Sequence, residues 1–198
     1  MSQVKIQGNA SGTGIFTIAS PNSNTNRTLD LPDNSGTVIT TGSTAVVSQA
    51  MLASGVSGNG PAFSAYRSGN QAISSGVYTK IQFNVEEFDT NNCYDSTTNY
   101  RFTPNVAGYY QINGSLNNGP SSSPTQASIA IFKNGSAFKY GGYITAGTGM
   151  SVNVSNVVYF NGTTDYVEIF GYIVASSASI EGSSVANTFF SAAMVRAA

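Results

Sequence analysis

Residues 100–116 read YRFTPNVAGYYQINGSL, and the second half of this stretch alternates. Tyr110, Ile112, Gly114 and Leu116 fall on one side, Tyr109, Gln111, Asn113 and Ser115 on the other. Successive side chains of a strand point to opposite faces, so the alternation predicts a strand with one buried side. Pro104 has no N–H to give to a ladder and belongs at a strand end. Gly108 leaves room for a bend or a close approach. The strand is expected at the centre of an all-β domain, with the residues after 60 packed around it.

Strand signals continue on either side. Residues 62–67 and 77–83 come before it, followed by a polar segment, 86–92, that reads as a loop or an edge. After it, 127–132 and 136–140 flank Asn134–Gly135, the strongest short hairpin signal. Val152, Val154, Val158 and Phe160 line one side of the next strand, 161–164 turns the chain, and 166–174 and 188–195 complete the set. Many short strands at this spacing suggest a sandwich or jelly roll.

The 198 residues suit one medium domain, or one domain with a smaller appendage. Only 9% are charged against 40% hydrophobic, so surface polarity must come from Ser, Thr, Asn, Gly and Tyr. Such a composition fits a heavily hydrogen-bonded β protein that hides surface in an oligomer, and eleven Phe with eleven Tyr argue against disorder. Eight basic and nine acidic residues are scattered singly, leaving no stripe to neutralise phosphates; nucleic-acid binding is not expected. No apolar run approaches the ~18–20 residues of a membrane helix, and no secretory signal opens the chain, so no membrane insertion and synthesis in a cytoplasm are expected. The single Cys93 permits no intrachain disulfide and reads as a small buried apolar residue.

Residues 1–42 hold three short strand candidates, 14–19, 28–31 and 37–40, too little to bury a core alone. They read as an anchor. GTGIFTIASPNSNTNRTLDLPDNSGTVIT, residues 12–40, resembles a segment of bacteriophage fibre and tail proteins, where a similar pattern lies upstream of a distal domain. That resemblance implies assembly into a virion, through contacts of residues 1–42 with other virion proteins. Residues 43–61 join the two parts. Within them AVVSQAMLA, 45–53, reads either as a short helix or as extended linker, and SGVSGNGP marks the boundary.

Residues 62–195 resemble a globular C1q-like domain of the tumour-necrosis-factor-like jelly-roll class. AFSAYRS is similar to that family's opening strand and NTFFSAAMV to its closing one. Phe83, Asp89, Tyr94, Phe102, Gly108 and Tyr110 follow the order of its central pattern, although Ile112 stands where the pattern commonly has Phe.

Two strands are apolar on both faces. In 165–174, Val167, Ile169 and Ile173 oppose Tyr166, Phe170 and Tyr172; in 188–195, Phe190, Ala192 and Met194 oppose Phe189, Ala193 and Val195. A strand apolar on both faces is buried on both. The C1q-like resemblance implies that two further copies cover the outer face around a threefold axis. Tyr109, Gln111, Tyr166, Phe170, Tyr172 and Phe189 are the expected trimer interface; Phe102, Tyr110, Ile112, Val167, Ile169 and Phe190 are the expected core.

There is no histidine, which removes the commonest general base and most zinc sites. Glycoside hydrolysis needs only two carboxylates, but the acidic residues cluster only over 86–95, in a chain without Trp to stack a sugar. The same cluster lacks EF-hand spacing and reads as a solvated loop. No catalytic, metal or cofactor site is expected. The sequence therefore predicts a non-enzymatic homotrimeric virion protein: a β-rich anchor (1–42), a linker (43–61) and a C1q-like jelly-roll head (62–198). It would serve as a short fibre or capsid-decorating protein. The alternative is an adhesin that contacts a host glycan or protein through the loops 117–125, 140–149 and 175–184.

Overall fold

The computed structural model describes residues 60–119, 123–145, 151–182 and 187–198, together with 10–15, 17, 19, 22–26 and 28. The chain divides into two compact units, Met1–Gly42 and Ser43–Ala198. In the first, all described residues are exposed and none lies in a strand, including those within the expected strand 14–19. The strands expected over 28–31 and 37–40, apart from Thr28, and the helix over 45–53 lie outside the described residues.

The second unit is a sandwich. Its early strands are short: β1 (Ala62–Tyr66), β2 (Gln71–Ala72), β3 (Thr79–Lys80), β4 (Val85–Asp89), β5 (Tyr94–Asp95) and β6 (Arg101–Phe102). The long ones follow: β7 (Gly108–Asn117), β8 (Gln126–Lys133), β9 (Ser136–Ile144), β10 (Ser151–Phe160) and β11 (Val167–Val174). Short β12 (Ser179–Ile180) and long β13 (Phe189–Ala197) close the chain. One sheet runs β10–β7–β13–β1–β4 and the other β5–β6–β11–β8–β9, with β3 also beside β11. All pairings are antiparallel; β2 and β12 form a small ribbon. This is an all-β jelly-roll sandwich.

β7 is paired with β10 on one side and β13 on the other along its length. Tyr110, Ile112 and Leu116 point inward and are fully buried, as the alternation requires. Phe102, Val167, Ile169 and Phe190 are fully buried as well. An aromatic chain stitches the sheets together. Phe63 of β1 stacks on Tyr94 of β5 at 4.5 Å and on Phe102 of β6 at 4.7 Å, and meets Phe190 edge-on at 4.7 Å. Phe102 then contacts Tyr110 and Phe160, which touch each other at 5.2 Å. The two phenols keep partners: Tyr94 donates to the Phe83 carbonyl and Tyr110 to that of Val106, as buried hydroxyls must. Burial pushes both phenols up, so both stay neutral donors.

Two local devices set the register. Asn134 and Gly135 both take left-handed backbone, φ 52° and 78°, which matches the twist of the β8–β9 hairpin. At Gly108 a Cβ would stand 2.5 Å from the Arg196 carbonyl oxygen, so the close approach of β7 to β13 requires glycine there.

Of residues 86–92, read as a loop or an edge, Glu86–Asp89 fall in edge strand β4 (Val85–Asp89), mostly exposed on both sides and therefore without alternation. Two segments differ from expectation. Residues 77–83 contribute only two ladder residues, Thr79 and Lys80, and the Tyr78 ring lies against Phe132 and Tyr172 on the sheet's outer face. Tyr100, expected in a strand, sits at φ 50°. It ends a turn in which the Asp95 carboxylate accepts the backbone N–H groups of Thr97, Thr98 and Asn99.

Candidate interaction surface

Three of the six expected interface residues lie on the outer face of the five-stranded sheet and three on that of the other sheet. They do not form one surface. Tyr109 and Gln111 belong to β7 and Phe189 to β13; Phe170 and Tyr172 belong to β11, with Tyr166 just before it. A sandwich cannot turn both outer faces to one axis, so the single axis-facing surface expected from the sequence is divided in two.

On the five-stranded sheet the strand register lays the outer side chains in rows. Tyr66, Phe189, Ser115 and Asn153 form one; Ser64, Ser191, Asn113 and Ser155 the next; Ala62, Ala193, Gln111 and Val157 the third. Arg196, Tyr109 and Tyr159 end the series. Arg196 is the single charged side chain in these rows. Polar groups in the middle satisfy one another: Gln111 Nε2 donates to Ser155 Oγ at 2.8 Å, and Ser155 Oγ to Asn113 Oδ1 at 2.9 Å. Toward one end apolar surface stands free. Tyr109, Val157 and Tyr159 are 43%, 48% and 44% exposed, the two rings 5.4 Å apart, and Val195 in the β13 bulge is 51% exposed.

On the six-stranded sheet the chain covers much of its own outer face. Phe170 stacks on Phe132 of β8 at 3.9 Å. The Tyr78 ring lies 5.1 Å from Tyr172 and 6.2 Å from Phe132, and its hydroxyl donates to Ser128 Oγ at 3.1 Å. The Arg101 guanidinium lies 4.4 Å over the Tyr166 ring. The apolar second face of β11 thus finds partners within the chain, which periodicity alone did not reveal.

The ends of the sandwich differ too. β7 ends, β8 begins, β9 ends, β10 begins and β11 ends at one level of the two sheets, since Asn117 pairs with Ser151, Ala127 with Ile144 and Gln126 with Val174. The connections after β7, β9 and β11 therefore leave from the same end. The loop expected from residue 140 starts later, because β9 runs to Ile144. Pro61 accepts from the Met194 N–H, and Ala198 donates to the Ala107 carbonyl. The head's N-terminal strand β1 therefore begins, and its C-terminal strand β13 ends, at the opposite end of the sandwich.

The acidic residues of 86–95 do not converge. Glu87 accepts from the Ser64 hydroxyl, Asp89 from the N–H groups of Asn91 and Tyr94, and Asp95 caps its own turn. The backbone donor of Thr98 above all holds the Asp95 carboxyl well below the usual range. Among the described residues no three His, Cys, Asp or Glu side chains gather as a metal set needs. Cys93 is buried, and burial pushes its thiol up.

No protein-family model matches the sequence, and no curated protein matches it. Solved structures do. The chain is similar to a crystal structure of murine APRIL at pH 5.0, with 8% identity over 68% of this chain and 98% of that one, TM-score 0.52. A murine APRIL structure at pH 8.5 matches with 10% identity over 67% and 96%, TM-score 0.51. The Eiger TNF of S. frugiperda matches with 8% identity over 71% and 96%, TM-score 0.50. At these identities the likeness defines the fold: the head is a tumour-necrosis-factor-like jelly roll.

Proposed function

We propose that this chain is a non-enzymatic structural protein of a bacteriophage particle, acting as a homotrimer whose jelly-roll head projects from an anchor formed by residues 1–42. The observation that carries the assembly is the outer face of the five-stranded sheet. Its rows are uncharged apart from Arg196, with Glu87 at the β4 edge held by Ser64, and Tyr109, Val157, Tyr159 and Val195 stand exposed. Exposed apolar area grouped in this way marks an interface, and two further copies would cover it. Of the six residues expected at the axis, this reading keeps Tyr109, Gln111 and Phe189 and releases Tyr166, Phe170 and Tyr172. The virion reading rests on the resemblance of residues 12–40 to phage fibre segments. Each acidic side chain of 86–95 except the exposed Glu86 serves a local hydrogen bond, which supports a mechanical role over a hydrolytic one.

The second reading, a receptor-binding adhesin, is favoured by one feature: the connections after β7, β9 and β11 share the end of the sandwich away from its entry. Antibody labelling of intact particles in the electron microscope separates the two. Label over the capsid supports decoration, label confined to the tail supports the adhesin, and unlabelled particles contradict the virion assignment.

A further inference from the structure

Beyond the subunit contact, β9 carries two tyrosines that the chain leaves bare. Tyr140 stands opposite Ala130 and Tyr143 opposite Ser128, both on the outer side of β8. They are 65% and 56% exposed. Tyr140 is fixed from behind by Tyr78, 5.6 Å away, and Tyr78 is fixed by Tyr172 and by its bond to Ser128. The Tyr140 ring therefore rests on a packed aromatic layer, and Tyr143 stands on the same face opposite Ser128.

We propose that Tyr140, backed by Tyr78 and Tyr172, forms with Tyr143 a stacking platform for a neutral polysaccharide. Size argues first. Two tyrosines so exposed offer roughly 250 Å², far below the ~800 Å² per partner of a stable protein interface and suited to one or two sugar rings. Charge argues next. The rows Phe170–Ala130–Tyr140 and Tyr172–Ser128–Tyr143 hold no ionic side chain, and the bordering Lys80 is paired with Glu168 at 2.8 Å. An anionic glycan or a nucleic acid would find no unpaired cation in those rows. The chemistry completes the match: a ring face takes the apolar C–H side of a pyranose, and the phenol hydroxyls are donors and acceptors for its rim. Tyrosine supplies here what the absence of tryptophan seemed to deny. The site uses the sheet opposite the proposed subunit contact, so it stands or falls independently of the trimer.

The test is affinity electrophoresis of the full chain in gels containing dextran, galactomannan or hydroxyethyl cellulose, with heparin as the anionic comparison. Retardation by at least one neutral polymer is expected, weakened about tenfold or more in affinity by Tyr140→Ala with Tyr143→Ala. Tyr140→Phe keeps the ring and should retain binding. Both positions are exposed, and a thermal melt verifies that each variant folds. Absence of retardation by all three neutral polymers, retardation by heparin alone, or full retardation of the double alanine variant would overturn the proposal. So would a changed assembly mass for that variant in light scattering, which would assign the patch to a second copy.

Discussion

The Tyr78 hydroxyl donates to Ser128 Oγ at 3.1 Å, fifty residues along the chain, and this holds its ring over the outer face of the six-stranded sheet. Ala130 and Ser128 are buried on that face although it is the outer one. Tyr78→Phe removes only the hydroxyl bond and should cost about 1 kcal/mol. Tyr78→Ala also uncovers the layer and should cost about 2–3 kcal/mol. Urea unfolding of the two variants checks the order; equal losses would show that the ring contributes nothing.

Phe63 joins three aromatic rings from three other strands and is fully buried. Phe63→Ala opens a cavity between the sheets, and a loss of about 3–5 kcal/mol is expected. Denaturant midpoints measure it, and a loss below about 1 kcal/mol would contradict the role given to Phe63.

Asp165 ties the β8–β9 hairpin turn to the turn between β10 and β11. It accepts from Asn134 Nδ2 at 2.8 Å and from the Asn161 N–H at 3.1 Å, and pairs with Lys133 at 3.0 Å. The Asn134 side chain, first among these, holds its carboxyl below the ordinary carboxylate range. In the unfolded chain an aspartate protonates near pH ~3.9; folded Asp165 does so only at lower pH. Its stabilisation is therefore complete above that pH and is lost as pH falls through the folded value. Asp165→Asn should lower stability at pH 7 and flatten the fall as pH drops below about pH 4. Parallel unfolding slopes for the two proteins in that window would contradict this.

Tyr109 and Tyr159 lie side by side at the exposed end of the five-stranded sheet. Replacing Tyr109 with Lys sets a charge into the proposed contact, where it would have to be desolvated. The variant should keep its strand signal in circular dichroism while its assembly mass falls. An unchanged mass would remove Tyr109 from the interface.

Much of the sandwich was legible because inward and outward residues alternate on β7 and β10. The Asn134–Gly135 turn was legible for a different reason, since few residues tolerate two left-handed positions in succession. What escaped is equally physical. Edge strand β4 is wet on both sides, so Val85–Asp89 shows no alternation and its sequence leaves loop and edge undivided. β11 is apolar on both faces, and the sequence suggested a partner subunit for both of its outer rings. Phe170 instead stacks on Phe132, and Tyr172 packs against Tyr78, which comes just before β3. Contacts between residues so far apart in sequence have no period to betray them. The bulge between Met194 and Arg196 likewise breaks the pattern of β13 just where it meets Tyr109.

The subunit contact is the central claim, and the mass of the full chain in solution tests it most directly. Light scattering at micromolar concentration should give three times the 20.5 kDa of one chain. A monomer at that concentration would contradict the account, leaving the exposed face of Tyr109, Val157 and Tyr159 without its proposed partner.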